Sequence, residues 1–388
     1  MELVKLGKVA DFINGKAFKP SDWEDKGKKI IRIQNLNDCS KPYNRTLQNV
    51  EDKYLVYPND ILVSWSASLG VFEWKDSEIA VLNQHIFKVV PDEKLICKPY
   101  LKYALDKSID LMLKYTHGST MKHINRQEFL NIEIPLPPIA SQRTIANILD
   151  KADEIIRKRK EAIALTEQLL KSTFLDMFGD PVINPKGWDV VTLEQVAEKE
   201  KGAIKCGPFG SQLLISEFQD IGIPVYGIDN VQKNEFIWAK PKFITREKYQ
   251  QLRAFSIKLN DVLISRTGTV GRTCIAPPNI PESIIGANLL KVSLDQNEMS
   301  SKYLSYALSY SEFLIQEIKN MSPGATVPVF NTSNLKSLKL ANPPMDLQIK
   351  FNLMINKIQE KIGKQKKSLQ ESENLFNSLL QKAFKGEL

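Results

Sequence analysis

Cysteine and histidine are scarce in this chain, and the few present stand apart. Cys39, Cys97, Cys206 and Cys274 form no Cys-x-x-Cys pair, and His85, His117 and His123 show no metal-ligand spacing with them. No zinc site or disulfide framework is therefore expected, and no metal is assigned. No run of about 18 apolar residues occurs, and the start Met1-Glu2-Leu3-Val4-Lys5 lacks the basic and apolar stretches of a signal peptide. The expectation is a cytoplasmic protein with no membrane partner. Strong charge of one sign is missing too: 53 Lys+Arg against 45 Asp+Glu leave a net charge of +8, which admits nucleic acid as a partner without requiring it. With 43% hydrophobic residues over 388 positions, the chain can build ordinary cores in two or three domains, and disorder is excluded as its main theme.

What the chain does have is an internal repeat. Leu6-Gly7-Lys8-Val9-Ala10 is echoed by Leu193-Glu194-Gln195-Val196-Ala197, and Asn59-Asp60-Ile61-Leu62-Val63-Ser64 by Asn260-Asp261-Val262-Leu263-Ile264-Ser265. Tyr100-Leu101-Lys102-Tyr103-Ala104-Leu105 returns as Tyr303-Leu304-Ser305-Tyr306-Ala307-Leu308. The offset drifts from 187 to 206 and then stays at 206, so Pro137-Pro138 faces Pro343-Pro344, Gln142 faces Gln348 and Glu167 faces Glu373. Each copy is thus a globular part that tolerates insertions, followed by a segment of fixed length. Two copies are too few for a solenoid, and a pseudo-two-fold molecule is the natural alternative.

The fixed segments carry heptads: Leu149, Ile156, Ile163, Leu170 and Met177 in the first, and Ile355, Ile362, Leu369, Phe376 and Ala383 in the second. Each segment is expected to be one long helix of about 40 residues, roughly 60 Å. Gly179 and Pro181 supply the stop for the first. The two stripes are expected to bury against each other as an antiparallel coiled coil, the alternative being that each helix packs only on its own domain. Short runs such as Lys29-Ile30-Ile31-Arg32-Ile33, Ile86-Phe87-Lys88-Val89-Val90 and Val262-Leu263-Ile264-Ser265 read as strands, with helices around Tyr100 to Leu113 and Tyr303 to Ile318. The fold class is α+β: two mixed α/β domains separated by two long helices, as a pseudo-two-fold internal repeat. The expected boundaries are 1–136 and 181–342 for the domains, and 137–180 and 343–388 for the helical spacers.

No catalytic constellation is found. Gly268-Thr269-Val270-Gly271-Arg272-Thr273 lacks the P-loop spacing. Asn342-Pro343-Pro344-Met345 is similar to the Asn/Asp-Pro-Pro-aromatic loop of adenine-N6 methyltransferases. Its fourth residue is Met, the repeat sets Leu136-Pro137-Pro138-Ile139 at the same place, and no cofactor loop precedes it. The strand-to-loop junctions instead gather basic, polar and aromatic residues suited to phosphates or base edges. In the first copy the candidates are Lys16, Lys19, Ser64, Trp65, Ser66, Ser119, Thr120 and Lys122. In the second they are Lys205, Gly207, Ser211, Arg266, Thr267, Arg272 and Thr326. Ordinary turns in a repeated fold would look much the same.

The duplicated layout, the Asn59-to-Trp65 and Asn260-to-Arg266 strands, the Cys206-Gly207-Pro208-Phe209-Gly210-Ser211 loop, and Pro135-Leu136-Pro137-Pro138 leading into Gln142-Arg143-Thr144-Ile145-Ala146 resemble the specificity subunits of type I restriction-modification enzymes. The resemblance spans essentially the whole chain. It implies two target recognition domains, each reading half of a split, asymmetric target in double-stranded DNA, with a coiled-coil spacer. It further implies docking of two modification subunits that bring S-adenosylmethionine, and restriction subunits that bring ATP and Mg. The chain itself would hold no cofactor and catalyse nothing. The family's Pro-Pro-x-x-Glu-Gln helix start has Ser141-Gln142 in one copy and Leu347-Gln348 in the other, so the acidic residue is dispensable here. Two other readings stay open: a structural coiled-coil adaptor with nonspecific DNA binding, and a free-standing adenine-N6 methyltransferase.

Overall fold

The computed structural model describes residues 2–66, 68–114, 116–117, 123–268, 270–320 and 330–388. It divides into two compact units, Met1–Lys160 with Lys367–Leu388, and Glu161–Lys366. The divisions after Lys160 and Lys366 lie 206 residues apart, the same offset as the sequence repeat.

The first unit includes the strands β1 (Leu3–Lys5), β2 (Ala10–Asn14), β3 (Lys28–Ile31), β4 (Arg45–Thr46), β5 (Leu55–Val56), β6 (Ile61–Ser64), β7 (Gly70–Glu73), β8 (Ala80–Leu82) and β9 (Ile86–Pro91), followed by α1 (Lys98–Lys114) and β10 (Glu133–Pro135). They form two four-stranded sheets, β2-β9-β6-β7 and β4-β3-β8-β5. Strand β1 pairs antiparallel with β10, bringing the start of the domain beside its end.

The second unit repeats the plan. Its elements include β11 (Asp189–Thr192), β12 (Ile204–Cys206), β13 (Ile223–Tyr226), β14 (Lys242–Ile244), β15 (Val262–Ser265), β16 (Thr273–Ile275), β17 (Ile284–Ile285), β18 (Leu289–Val292), α3 (Ser301–Tyr310) and β19 (Lys339–Asn342). The sheets are β12-β18-β15-β16 and β14-β13-β17, with β11 on β19. In both units one strand pair is parallel, Ile30 opposite Val81 and Val225 opposite Ile284. The helix expected from Tyr303 to Ile318 is broken: Ser311, in extended backbone, ends α3, and a separate helix runs Glu312–Asn320.

Strands β6 and β15 are buried along their whole length because each lies between two cores. Ile61 and Val63 join the core that includes the helices, while Leu62 faces the other sheet. Val262 and Ile264 divide from Leu263 in the same way. The repeated Asn-Asp step before each strand is a turn. Asn59 and Asn260 take φ of 70° and 67°, a left-handed backbone that Asn tolerates. The following Asp60 and Asp261 accept from the backbone N–H of Tyr57 and Lys258 at 2.9 and 2.8 Å.

The fixed-length segments are helices α2 (Ile139–Phe178) and α4 (Met345–Lys385). Helix α2 ends on Gly179, whose φ is +75° and whose N–H reaches Leu175 O at 2.8 Å. The repeated glutamine near each helix start is fully buried. Gln142 Oε1 accepts from Cys97 N–H at 2.8 Å, and its Nε2 donates to Leu95 O and Pro137 O. Gln348 does the same with Ser300 N–H at 2.9 Å and with Pro343 O and Asn342 Oδ1. A single side chain thereby ties each long helix to the N-terminus of the domain helix before it.

Within each unit the two long helices run antiparallel. In the first, Ile145, Ala146 and Leu149 share a core with Ala383, Phe376, Leu379 and Leu380, and Lys160 pairs with Glu373 at 2.9 Å. In the second, Leu170, Phe174 and Phe178 meet Phe351 and Ile355. The helices also pack on the domains, so pairing and domain packing occur together rather than as alternatives. Phe384 stacks on Tyr100 and Tyr103 OH donates to Asp150 Oδ1, while Phe174 and Phe178 pack on Tyr303. Of the heptad residues, Leu149, Ile156, Leu170, Ile355, Ile362 and Ala383 are buried, and Ile163, Met177, Leu369 and Phe376 are half-buried.

Candidate nucleic-acid interface

In the first unit four loops are laced into one surface. Gly15 N–H donates to Ile86 O and Lys16 N–H to Leu82 O, while Gln84 N–H returns to Lys16 O at 2.9 Å. Asn83 N–H reaches Ile31 O, and Trp65 N–H reaches His85 O at 3.2 Å. Side chains complete the lacing: Trp65 Nε1 donates to Asn14 Oδ1 at 3.1 Å and Ser68 Oγ to Asn37 Oδ1 at 3.3 Å. The segments after β2, β3 and β6 and the β8–β9 turn are thereby joined in one hydrogen-bonded surface. Gly15 is required by this closeness, since a Cβ there would lie 2.0 Å from Asn83 O.

The second unit builds the same surface from equivalent loops. Gly207 N–H donates to Leu289 O, and a Cβ on Gly207 would lie 2.0 Å from Gly286 O. Gly286 N–H reaches Tyr226 O and Arg266 N–H reaches Asn288 O. Where Trp65 holds Asn14 in the first copy, Arg266 Nη1 here contacts Cys206 Sγ and Ala287 O. Burial raises the Cys206 thiol above its ordinary pKa, opposed by the Arg266 charge. Arg272 Nη1 donates to Gln232 Oε1 at 2.9 Å. The loops after β3 and β13 are braced alike by a buried asparagine. Asn35 accepts from Arg32 N–H and donates to Lys41 O and Pro42 O, and Asn230 accepts from Gly227 N–H and donates to Ile237 O and Ala239 O.

The two surfaces are thus one design made twice on shared glycines and asparagines with different outward residues. The family profile described as Type I restriction modification DNA specificity domain matches residues 1–165 and 185–376. The chain belongs to this family. Among its relatives, the type I restriction enzyme EcoBI specificity subunit of Escherichia coli is 24% identical over 99% of this chain and 85% of its own length. The MjaVIII specificity subunit of Methanocaldococcus jannaschii is 24% identical over 89% of this chain and 83% of its own. In fold the chain is similar to a type I restriction-modification S subunit from M. genitalium, with a TM-score of 0.58 at 17% identity, covering 99% of this chain and 96% of that one. A chain solved in work on complex assembly and conformational transition of the type I R-M system gives 0.56 at 18% identity, covering 100% and 98%.

As a type I specificity subunit the chain binds DNA and is non-catalytic, like the rest of its family. The loop similar to a methyltransferase motif is held at the junction of the domain and the long helix: Asn342 Nδ2 donates to Glu298 O and its Oδ1 accepts from Gln348. Among the described residues no cluster of His, Cys, Asp and Glu could hold a metal ion, and no helix is long and apolar enough to cross a membrane.

The structure sorts the residues picked out from the sequence. Lys19 and Ser211 are exposed, and Lys16, Trp65, Arg266, Thr267 and Arg272 are half-buried. Lys16 Nζ donates to Gln48 Oε1 at 3.1 Å. Lys205 lies in β12 with its ammonium 4.5 Å from the centre of the Phe255 ring, so it packs on that ring from the strand rather than reaching from the loop. Ser64 needs correcting: it is fully buried, because both faces of β6 are covered, and its hydroxyl donates to Ser68 O. Ser66 is buried as well, and Gly207 contributes backbone closeness rather than a contact group. Ser119, Thr120, Lys122 and Thr326 lie outside the described residues.

Sequence reasoning passed over Arg32, Gln34, Asn83, Gln84 and His85, which with Ile33 line a pocket of about 260 Å³ in the first surface. The signal available was the short Asn-Gln-His connection between two apolar runs, where His85 takes a φ of 70°. His85 Nδ1 and Arg266 Nε are buried with no hydrogen-bond partner, one orphaned atom in each surface.

Proposed function

We propose that the two laced surfaces are two DNA readers, and that the chain specifies a bipartite, asymmetric target. The functional division is 1–136 and 181–342 for the target recognition domains and 137–180 and 343–388 for the helical spacers. The observation that carries this is the surface built twice on the same scaffold residues with unlike outward side chains, Trp65 against Arg266 and His85 against Asn288. Like scaffolds with different faces suit two different half-sites. Exposed and half-exposed cations such as Lys16, Lys19 and Arg272 would supply phosphate contacts and a steep salt dependence, and base-edge contacts the choice of sequence. The helices set the gap and dock two modification subunits. Those subunits bring S-adenosylmethionine and the adenine methylation chemistry, and restriction subunits bring ATP and Mg.

The test is to bind the chain, mixed with its modification subunits, to random duplexes and to sequence what is retained. A split motif with a constant gap is expected. Retention without any motif, with the partner shown to be bound, would leave a nonspecific adaptor and overturn the proposal.

A further inference from the structure

The repeat allows each reader to be compared with the other, position by position. Strand pairing sets Ile31 with Tyr226, since each is the last residue of a parallel pair, with Leu82 and Ile285. It follows that Arg32 corresponds to Gly227, Gln34 to Asp229, and Asn35 to Asn230. The hairpin positions Gln84 and His85 likewise correspond to Ala287 and Asn288, because Trp65 N–H reaches His85 O where Arg266 N–H reaches Asn288 O. The bracing asparagine is kept, and of the positions that line the pocket only Ile33, opposite Ile228, is unchanged. The largest change in chemistry is Arg32 against glycine.

Arg32 is held as a reading group would need to be. Its guanidinium lies 5.4 Å from the centre of the Trp23 ring, and Nη1 donates to Asn44 Oδ1 at 3.1 Å. These two contacts fix the plane of the fork while leaving other N–H donors for a ligand. No carboxylate pairs with it among the described residues, in contrast to nearby Lys29, which is paired with Asp76 and Glu78. Arg32 lines the pocket whose other walls include Gln84 and His85.

We infer that Arg32 reads a guanine in the half-site of the first recognition domain, presenting its fork to the O6/N7 edge, and that Gly227 leaves the second domain without this contact. A bidentate fork on guanine is the commonest specific contact of an arginine in the major groove. The inference rests on the proposed reading of the two surfaces as DNA readers.

The experiment is selection from random duplexes by the full chain with its modification subunits, for the wild type, Arg32→Gln and Arg32→Ala. Thermal melting checks that each variant is folded; Arg32 is half-exposed, and Gln keeps its polar reach. The expected result is a loss of about 5- to 150-fold in preference at one guanine of one half-site. The other half-site and the gap should be unchanged. Arg32 is not a base reader if both variants keep the wild-type motif. Nor is it one if they weaken all duplexes evenly with a salt slope reduced by about one, the mark of a phosphate contact. A wild type that selects no motif would overturn the two-reader proposal itself, and this inference with it.

Discussion

Asp60 and Asp261 close the same turn in the two copies, yet they face different charges. Asp261 is buried with Lys291 Nζ 3.4 Å away and accepts from Ser293 Oγ. Burial still raises its carboxyl above the ordinary range, with the Lys291 charge opposing. In the first copy Lys88 stands in for Lys291, but its ammonium donates to Leu55 O at 2.7 Å, and burial lowers its pKa. Asp261→Asn should therefore cost about 3–5 kcal/mol by stranding a buried ammonium. Asp60→Asn should cost nearer 1 kcal/mol. Urea unfolding midpoints of the two variants check the contrast. Asp106 offers a pH test. Burial, helped by Asp153 and opposed by Lys102, raises its pKa from 3.8 to about 6. The folded state then binds the proton more tightly than the unfolded one, so stability from this group falls as pH rises from 3.8 to about 6. Asp106→Asn should flatten that part of the stability profile and raise the melting temperature at pH 7. The buried lysines were illegible in the sequence. A Lys inside Ile86-Phe87-Lys88-Val89 suggests an outward face, but β9 is covered on both sides there.

At the scale of elements, the long helices were the most legible part, because five heptads per copy and a Gly-Pro stop are local signals. The glutamine clip was visible only as a repeated Gln, and its partners come from residues about 45 positions earlier. Gln348→Leu should cost at least about 2 kcal/mol, since it leaves the backbone N–H of Ser300 unpaired in a buried place. Denaturant unfolding of the full chain measures it. Strand order was not legible, since the parallel pairs join residues about 50 to 60 apart in sequence and depend on tertiary packing. Gly363 makes the opposite prediction. It sits inside α4 with nothing within 4 Å of where a Cβ would be, beside a cleft of about 590 Å³ lined by Tyr306, Tyr310 and Lys233. Gly363→Ala should stabilise the chain by about 0.5–1 kcal/mol, read as a higher melting temperature.

For the whole molecule, sequence and structure meet in the number 206: the offset of the repeat is also the offset between the two places where the chain divides into units. What the sequence did not disclose is that the closing residues, Lys367–Leu388, belong with the first domain, through contacts such as Phe384 on Tyr100. Each compact unit thus takes one half of each long helix. Helix length should then set the distance between the readers and hence the gap in the target. The direct test is to insert seven residues after both Lys160 and Lys366, which keeps the heptad stripes in phase and adds about 10 Å of helix. Selection from random duplexes should then return the same two half-sites with a gap longer by about 3 base pairs. The same half-sites at the original gap, from a folded and DNA-bound variant, would contradict the account.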